Sequence, residues 1–384
     1  MNEAYIVDAV RTPIGKLGGA LAPLTAAELG AHVVRALLGR AKVAPEDVEE
    51  IFLGTARQAG GGSDPARQIL RSAGIPKDAP AHTVNMACAS GLKAVALAAA
   101  SVRRGEARCV VAGGAESMSS VPPEPEARGD RRPGRQTLPE GFSCPIPDMD
   151  MGETVEAIGK SREVSREASD AYAARSQRLC EAARKAGRFR DEIAPIEVAA
   201  KTTRVEADEY PRDGVTLESL LKLKPVFAED GLITAGSASG SADGAAAVLV
   251  ADKAFLKEKD LEPLARIVDW TQVDVQPAMI GIGPVPATRL LLDQQKLELD
   301  DIGLIELNET FACHVLTCLR EITIDPERLN VLGGGVALGH PIGGAGVRIM
   351  TTLLHEMKRR RARRGLATLC ASGGLAMAML VERP

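Results

Sequence analysis

Aromatic residues are scarce in this 384-residue chain: 3% in all, with a single tryptophan. An excess of charge of either sign is missing too. Lys and Arg number 47 against 51 Asp and Glu, for a net charge of -4. Nothing in that balance argues for nucleic acid or a membrane surface as partner. No apolar run is long and unbroken enough to span a membrane. The nearest thing to a dinucleotide fingerprint, Val110-Val111-Ala112-Gly113-Gly114-Ala115-Glu116-Ser117, lacks the G-x-G-x-x-G spacing. The seven cysteines are an odd number in a long chain with no apolar leader at its start. Reduced thiols in a cytoplasmic compartment are therefore expected, not a disulfide framework. The spacing of Cys88, Cys370 and His340 is not that of a zinc site, so no metal is expected.

Glycine is plentiful, at 38 residues, and much of it is clustered. Such clusters mark tight turns and close backbone approach. With 45% apolar and 26% charged residues the profile is globular, and the length allows more than one domain. The first 120 residues alternate strand and helix patterns. Ala4–Val10 reads as a buried strand, and Thr25 with Glu28 as a capping box ahead of an apolar helical face. Ile51–Gly54 is a strand, Gly91–Val102 a helix, and Ala107–Ala112 a strand. This is an α/β layer with a largely parallel sheet. Residues 121–141 are polar and rich in Pro and Gly, an exposed loop. A long amphipathic helix is predicted over Arg166–Lys185. Residues 121–240 read as an insertion covering a pocket, within a first half formed by 1–120 and 241–262. Residues 263–384 repeat the first half in outline.

One short stretch organises the chemistry: Ala87-Cys88-Ala89-Ser90-Gly91, small residues leading into the Gly91 helix. An N-terminal helix position favours a thiolate and lowers the thiol pKa. The letters return as Cys370-Ala371-Ser372-Gly373, which reads as an internal repeat with two half-sites facing one pocket. Both cysteines are equally compatible with plain core packing. His340, among Gly339, Pro341 and Gly343, is either the base that a cysteine nucleophile needs or a satisfied histidine in a glycine turn. Asn308 and Glu309 end a predicted strand, where chemistry or ordinary turn geometry is expected. His82 is a candidate neighbour of the Cys88 segment, and His314 a pocket-lining or packing residue. His32 and His355 fall on predicted helices. The basic run Lys358–Arg364 is a solvated helix end or a phosphate-attracting patch.

The motifs together resemble the thiolase family. They are "VDAVRTPIG", "NMACASG", "VAGGAESMS", "DEYPRDGVTLESLLKLKP", "GIGPVPAT", "ELNETFA", "GGGVALGHPIGGAGVRI" and "TLCASGG", in family order along the whole chain. The resemblance implies two similar βαβαβαββ halves in a five-layer α-β-α-β-α arrangement with an inserted loop domain. It implies cleavage of a 3-ketoacyl-CoA by coenzyme A, or the reverse Claisen condensation, through an acyl group on Cys88. His340 would activate Cys88 and help form an oxyanion hole, with Asn308 orienting its water. Cys370 would move the proton at C2, and the backbone N–H groups of Cys88 and Ser372 would form a second oxyanion hole. Arg212, Ser219 and Ser239 are implied as coenzyme A contacts, and Met151, Phe227, Thr310 and Phe311 as substrate-pocket residues. Coenzyme A enters as substrate, with no tightly bound cofactor. A homodimer or homotetramer is implied, as is association with a β-oxidation dehydrogenase or hydratase. A condensing enzyme with another acyl partner and a non-catalytic acyl-CoA or lipid-binding protein are the other readings. The departures are Ser372 for a glycine, Thr310 for alanine, Ser237 for asparagine, Val155 and Ala157 in "MGETVEA", and Asp150 where short-chain members often carry histidine.

Overall fold

The computed structural model describes residues 2–59, 61–122, 143–144, 149–198 and 203–384. The expected loop over 121–141 lies almost wholly outside them. The first half builds its sheet from β1 (Tyr5–Arg11), β2 (Glu50–Gly54), β3 (Ala81–Val84), β4 (Cys109–Ser117) and β5 (Ala242–Ala251). Their order is β3-β2-β4-β5-β1, the first three mutually parallel and the last two antiparallel to their neighbours. In the second half β6 (Ala265–Asp274), β7 (Leu304–Leu307), β8 (Arg364–Ala371) and β9 (Leu375–Glu382) take the order β7-β8-β9-β6. Leu329 bridges Ile305 in parallel, at the place β3 holds in the first half. The strand order is thus duplicated. The two sheets meet edge to edge where Tyr5 and Ile6 of β1 pair with Arg266 and Ala265 of β6.

The helices arise from local signals. Helix α1 (Ala26–Ala41) starts at the expected capping box: Glu28 N–H donates to the Thr25 hydroxyl, and Thr25 N–H to the Glu28 carboxylate. Helix α2 spans Pro65–Ala73 and α3 Ser90–Arg104. Helix α4 (Met151–Ser161) is the first helix after the loop, and α5 runs over Arg166–Lys185 as the pattern predicts. Helices α6 (Pro284–Gln295), α7 (Ala312–Glu321) and α8 (Ala345–Arg360) belong to the second half.

Three apolar cores alternate with the sheets. Leu29, Val33, Leu37 and Ile69 of α1 and α2 cover one face of the first sheet. Leu92, Val95, Val347, Met350 and Leu354 of α3 and α8 fill the space between the sheets. Leu291, Leu292, Val315 and Cys318 of α6 and α7 cover the far face of the second sheet. This is the five-layer α-β-α-β-α arrangement. Strand β4 differs from the sequence reading by running past Ala112 through Gly113 and Gly114 to Ser117. Those glycines pair with Ala247 and Ala246 of β5, and the ladder outweighs glycine's poor strand preference.

A buried ion cluster ties Glu192 and Asp208 to this frame. Arg11, 1% exposed, donates through Nε to Glu192 at 2.7 Å, and through Nη1 and Nη2 to Asp208 at 2.7 and 3.0 Å. Removing one partner strands the others in a low dielectric. Arg11→Ala should therefore lose about 3–5 kcal/mol of folding stability. Chemical denaturation checks this; a shift under about 1 kcal/mol would show the cluster to be no more than a surface-type pair.

Candidate active site

Cys88 lies in a short turn between β3 and α3, two residues ahead of the first helical residue Ser90. Ala87 has φ +47°, a left-handed conformation that costs a residue with a Cβ. Neighbouring side chains hold it there. The Ser90 hydroxyl donates to Ala87 O at 2.6 Å and accepts from Met86 N–H at 2.8 Å, while Ala87 N–H donates to Asn85 Oδ1 at 3.1 Å. The result is a rigid elbow that presents the sulfur.

His340 lies in the matching loop of the second half, ahead of α8. Its N–H donates to Gly240 O at 2.8 Å, and Nε2 stands 3.2 Å from Cys88 Sγ. Gly339 is at φ +93°, and a Cβ there would sit 2.6 Å from the Tyr210 ring. That position therefore demands glycine. Both catalytic candidates are buried, Cys88 at 6% and His340 at 5% exposure. Burial pushes the Cys88 thiol up to about 12, against the opposing pull of the backbone N–H groups of Cys88 and Ser372. Burial first, then the nearby Arg348 charge, takes His340 down to about 3. Burial thus favours the neutral thiol and the neutral imidazole in the resting pair. The expected lowering of the thiol pKa by a helix N-terminus is overturned, because desolvation outweighs the helix and N–H contributions.

Cys370 is the penultimate residue of β8, followed by the turn at Ser372–Gly374. It shares a buried apolar cluster with Met151, Phe311 and Ile280, and Phe227 packs at the edge. Phe227 and Phe311 meet edge to face at 5.8 Å. Burial first, then the neighbouring Cys88 sulfur, pushes the Cys370 thiol up to about 12; a hydrogen bond from the Thr310 side chain opposes this. Thr310, expected as pocket wall, also accepts from Asn308 Nδ2 at 3.2 Å. Asn308 Oδ1 and His340 Nδ1 are buried without a partner among the described residues. The two cysteine turns do face one site. They are not repeats of each other, since one precedes a central helix and the other ends a strand. The topological counterpart of the Cys88 loop is the His340 loop.

The remaining residues divide. Ser239 is buried and donates through both N–H and Oγ to Thr310 O, at 3.0 and 2.8 Å, which ties the 234–241 segment to the Asn308 turn. Ser237 O accepts from Ala312 N–H at 2.8 Å in the same seam. Arg212 is exposed and lines a cavity of about 230 Å³ with Tyr210 and Ser239. Ser219 is exposed, and its hydroxyl turns back onto Thr216 O at 2.7 Å, outside that cavity's lining. His82 is no neighbour of Cys88: it stacks on Phe52 and reaches Glu50 at 3.0 Å on edge strand β3. His314 is fully buried and held near 4 by burial, with Nε2 3.8 Å from Cys318 Sγ. The basic run is largely paired: Arg359 and Arg360 with Glu356, Arg363 and Arg364 with Glu382. Among the described residues no group of three or more His, Cys, Asp or Glu is arranged to hold a metal, and no helix is long and apolar enough to cross a membrane.

Sequence reasoning placed Glu309 at the end of a strand without its partners, and did not single out Glu116. Glu309 accepts from Tyr172 Oη, Ser176 Oγ and Asn330 Nδ2 at 2.7–3.0 Å, which locks the Asn308 turn to α5. Glu116 accepts from the backbone of Ala56, Arg57 and Gly343 and is lifted to about 7 by burial.

The duplicated frame and the thiol–imidazole–thiol arrangement define an α/β acyltransferase. The thiolase N-terminal domain model matches residues 4–254, and the thiolase C-terminal domain model residues 261–383. Acetyl-CoA acetyltransferases of Pseudomonas aeruginosa and Paracoccus denitrificans are 46% and 44% identical to the chain, over 100% of it and of themselves. The human mitochondrial 3-ketoacyl-CoA thiolase solved with CoA superposes with a TM-score of 0.93 at 38% identity, covering 100% of this chain and 98% of that one. The Bacillus anthracis acetyl-CoA acetyltransferase gives 0.94 at 40%, covering 100% and 99%. The chain belongs to the thiolase family, and it is an enzyme of thiolytic acyl-CoA cleavage and condensation.

The neutral resting pair has a spectroscopic signature. Thiolate absorbance, taken as wild type minus Cys88→Ser, should stay flat from about pH 5 to about pH 9. A preformed thiolate–imidazolium pair would give a signal already at neutral pH.

Proposed function

We propose that the chain cleaves a 3-ketoacyl-CoA with coenzyme A, giving acetyl-CoA and a shortened acyl-CoA, and runs the reverse condensation. The acyl group is carried on Cys88. The observation that supports this most is Cys88 Sγ 3.2 Å from His340 Nε2, with a second buried thiol, Cys370, beside the first. A ping-pong route needs one covalent thiol and one acid–base group at the neighbouring carbon.

His340 Nε2 takes the Cys88 proton as the sulfur attacks the keto carbon. Because the imidazole starts neutral, it is free to accept that proton. Charge developing on the carbonyl oxygen meets the N–H groups of Cys88 and Ser372, already aimed at the sulfur. The C2–C3 bond then breaks and its electron pair stays on C2 of the leaving acetyl-CoA. Cys370, held as a thiol by its apolar surroundings, delivers a proton to C2. His340 and the water oriented by Asn308 stabilise the enolate oxygen. Coenzyme A next attacks the Cys88 thioester. Its thiol proton restores Cys370, and the departing Cys88 sulfur recovers the proton held by His340. Ser372 serves through its N–H alone, so a side chain in place of hydrogen leaves that role intact.

Met151, Phe227 and Phe311 would form the apolar wall for the acyl chain, and Arg212, Ser219 and Ser239 would contact coenzyme A. Phe227 against Gly152, where a Cβ would lie 2.2 Å from the ring, closes that wall tightly and favours short acyl groups. A homodimer or homotetramer in the cytoplasm, exchanging substrate with a β-oxidation dehydrogenase or hydratase, completes the reading.

A chain-length series of 3-ketoacyl-CoA substrates with coenzyme A, monitored by loss of enolate absorbance, tests this. Short chains should turn over fastest; no turnover at any length overturns the assignment. Cys88→Ser should lose activity by several orders of magnitude. Cys370→Ala should lose cleavage by about 10²–10⁴ while still exchanging acyl groups between coenzyme A molecules. Undiminished cleavage in that variant would rule out the role given to Cys370.

A further inference from the structure

The Gly113-Gly114-Ala115-Glu116 run at the end of β4 is not used by the chemistry above, yet it lies where the two halves of the site meet. A hydrogen-bonded path links the Cys88 elbow to the His340 loop. Ala87 N–H donates to Asn85 Oδ1 at 3.1 Å, and Asn85 Nδ2 donates to Ala56 O at 3.1 Å. Ala56 N–H donates to Glu116 Oε2 at 3.0 Å, and Gly343 N–H reaches the same oxygen at 2.8 Å. Glu116 Oε1 accepts from Arg57 N–H at 3.1 Å and from Thr55 Oγ1 at 3.3 Å. The side chain is 0% exposed. The backbones around it are nearly in contact. A Cβ on Gly114 would lie 2.2 Å from Gly343 O, one on Gly91 2.9 Å from the same oxygen, and one on Gly343 2.6 Å from Thr55 Cα. Glycine at these places lets the loop after His340 sit directly on β4 and α3.

We infer that Glu116 is a positioning residue for the reaction, a clamp that holds the His340–Gly343 loop of the second half in register with the Cys88 elbow of the first. It touches neither substrate nor the reacting atoms. Its work is to keep Nε2 within reach of Sγ, through a single oxygen shared by Ala56 and Gly343. The inference rests on the thiol–imidazole reading of the site given above.

Three variants separate reach from charge. Glu116→Gln keeps the side-chain length and an oxygen for Ala56 and Gly343. Glu116→Asp keeps the charge but withdraws it from Gly343. Glu116→Ala removes both. The readouts are kcat and KM for thiolysis, and the rate of Cys88 alkylation by iodoacetamide, which needs His340 but no acyl substrate. Displacement of a reacting group by about 1 Å costs about a hundredfold. The expected result is a fall in kcat of about a hundredfold in Asp and Ala but less than about tenfold in Gln, with KM nearly constant. Alkylation should slow in the same order, towards the rate of His340→Ala. An Asp variant that outperforms Gln would make charge the determinant and overturn the inference, even if the Ala variant fails to fold. Unchanged kcat and alkylation in the Ala or Asp variant, or an effect confined to KM, would overturn it as well. Because alkylation is read without a ketoacyl substrate, it stays informative should the proposed substrate class fail.

Discussion

The 3.2 Å approach of His340 to Cys88 is the contact on which the site depends, and neither half can make it alone. It is reached because α3 and α8, the central helical layer, pack with almost no side chain between their first turns. A Cβ on Gly346 would lie 2.6 Å from Leu92 N, and one on Gly91 would lie 2.9 Å from Gly343 O and 3.0 Å from Val347 Cγ2. Small residues here replace the usual interlocking of large side chains. The site gains precision from this and loses tolerance, since any added methyl group would separate the sulfur from the imidazole.

The duplicated frame explains why the functions are divided as they are. The loop entering the central helix carries the thiol in one half and the imidazole in the other. The penultimate residue of the strand after that helix is Glu116 in the first half and Cys370 in the second. Equivalent positions thus hold different groups, a buried carboxyl that accepts backbone N–H groups and a buried thiol in the apolar cluster beside the pocket. Burial dominates the electrostatics of both thiols and of His340. On the proposed mechanism, proton transfer would therefore accompany attack, and the fixed N–H groups would meet charge only as it forms.

Much of this was legible in the sequence. Thr25 with Glu28 fixed the start of α1 through local hydrogen bonding alone, and the Arg166–Lys185 pattern matched α5 end to end. Cys88, His340, Asn308 and Cys370 were singled out by residue type and setting, but each stood level with ordinary packing or turn chemistry until the motifs around them were taken together. Other features were not legible, for physical reasons. A thiol's pKa depends on how deeply it is buried, which a helix boundary does not reveal. The partners of Glu309 are spread over Tyr172, Ser176 and Asn330, and only the fold collects them. Glu116 has no periodic or spacing signal, because its partners are backbone groups that any sequence would supply. The likeness of "CASG" at two places suggested a repeat that the topology does not support, since four letters specify neither a helix start nor a strand end.

The proposed division of labour would give the Cys88 sulfur the acyl group and leave Cys370 only protons. Incubation with acetyl-CoA, acid quenching and peptide mass spectrometry reads that division off the protein itself. One acetyl group is expected on the peptide containing Cys88 and none on that containing Cys370. Acetylation of Cys370, or of neither cysteine in enzyme that still turns over, would show the assignment to be wrong.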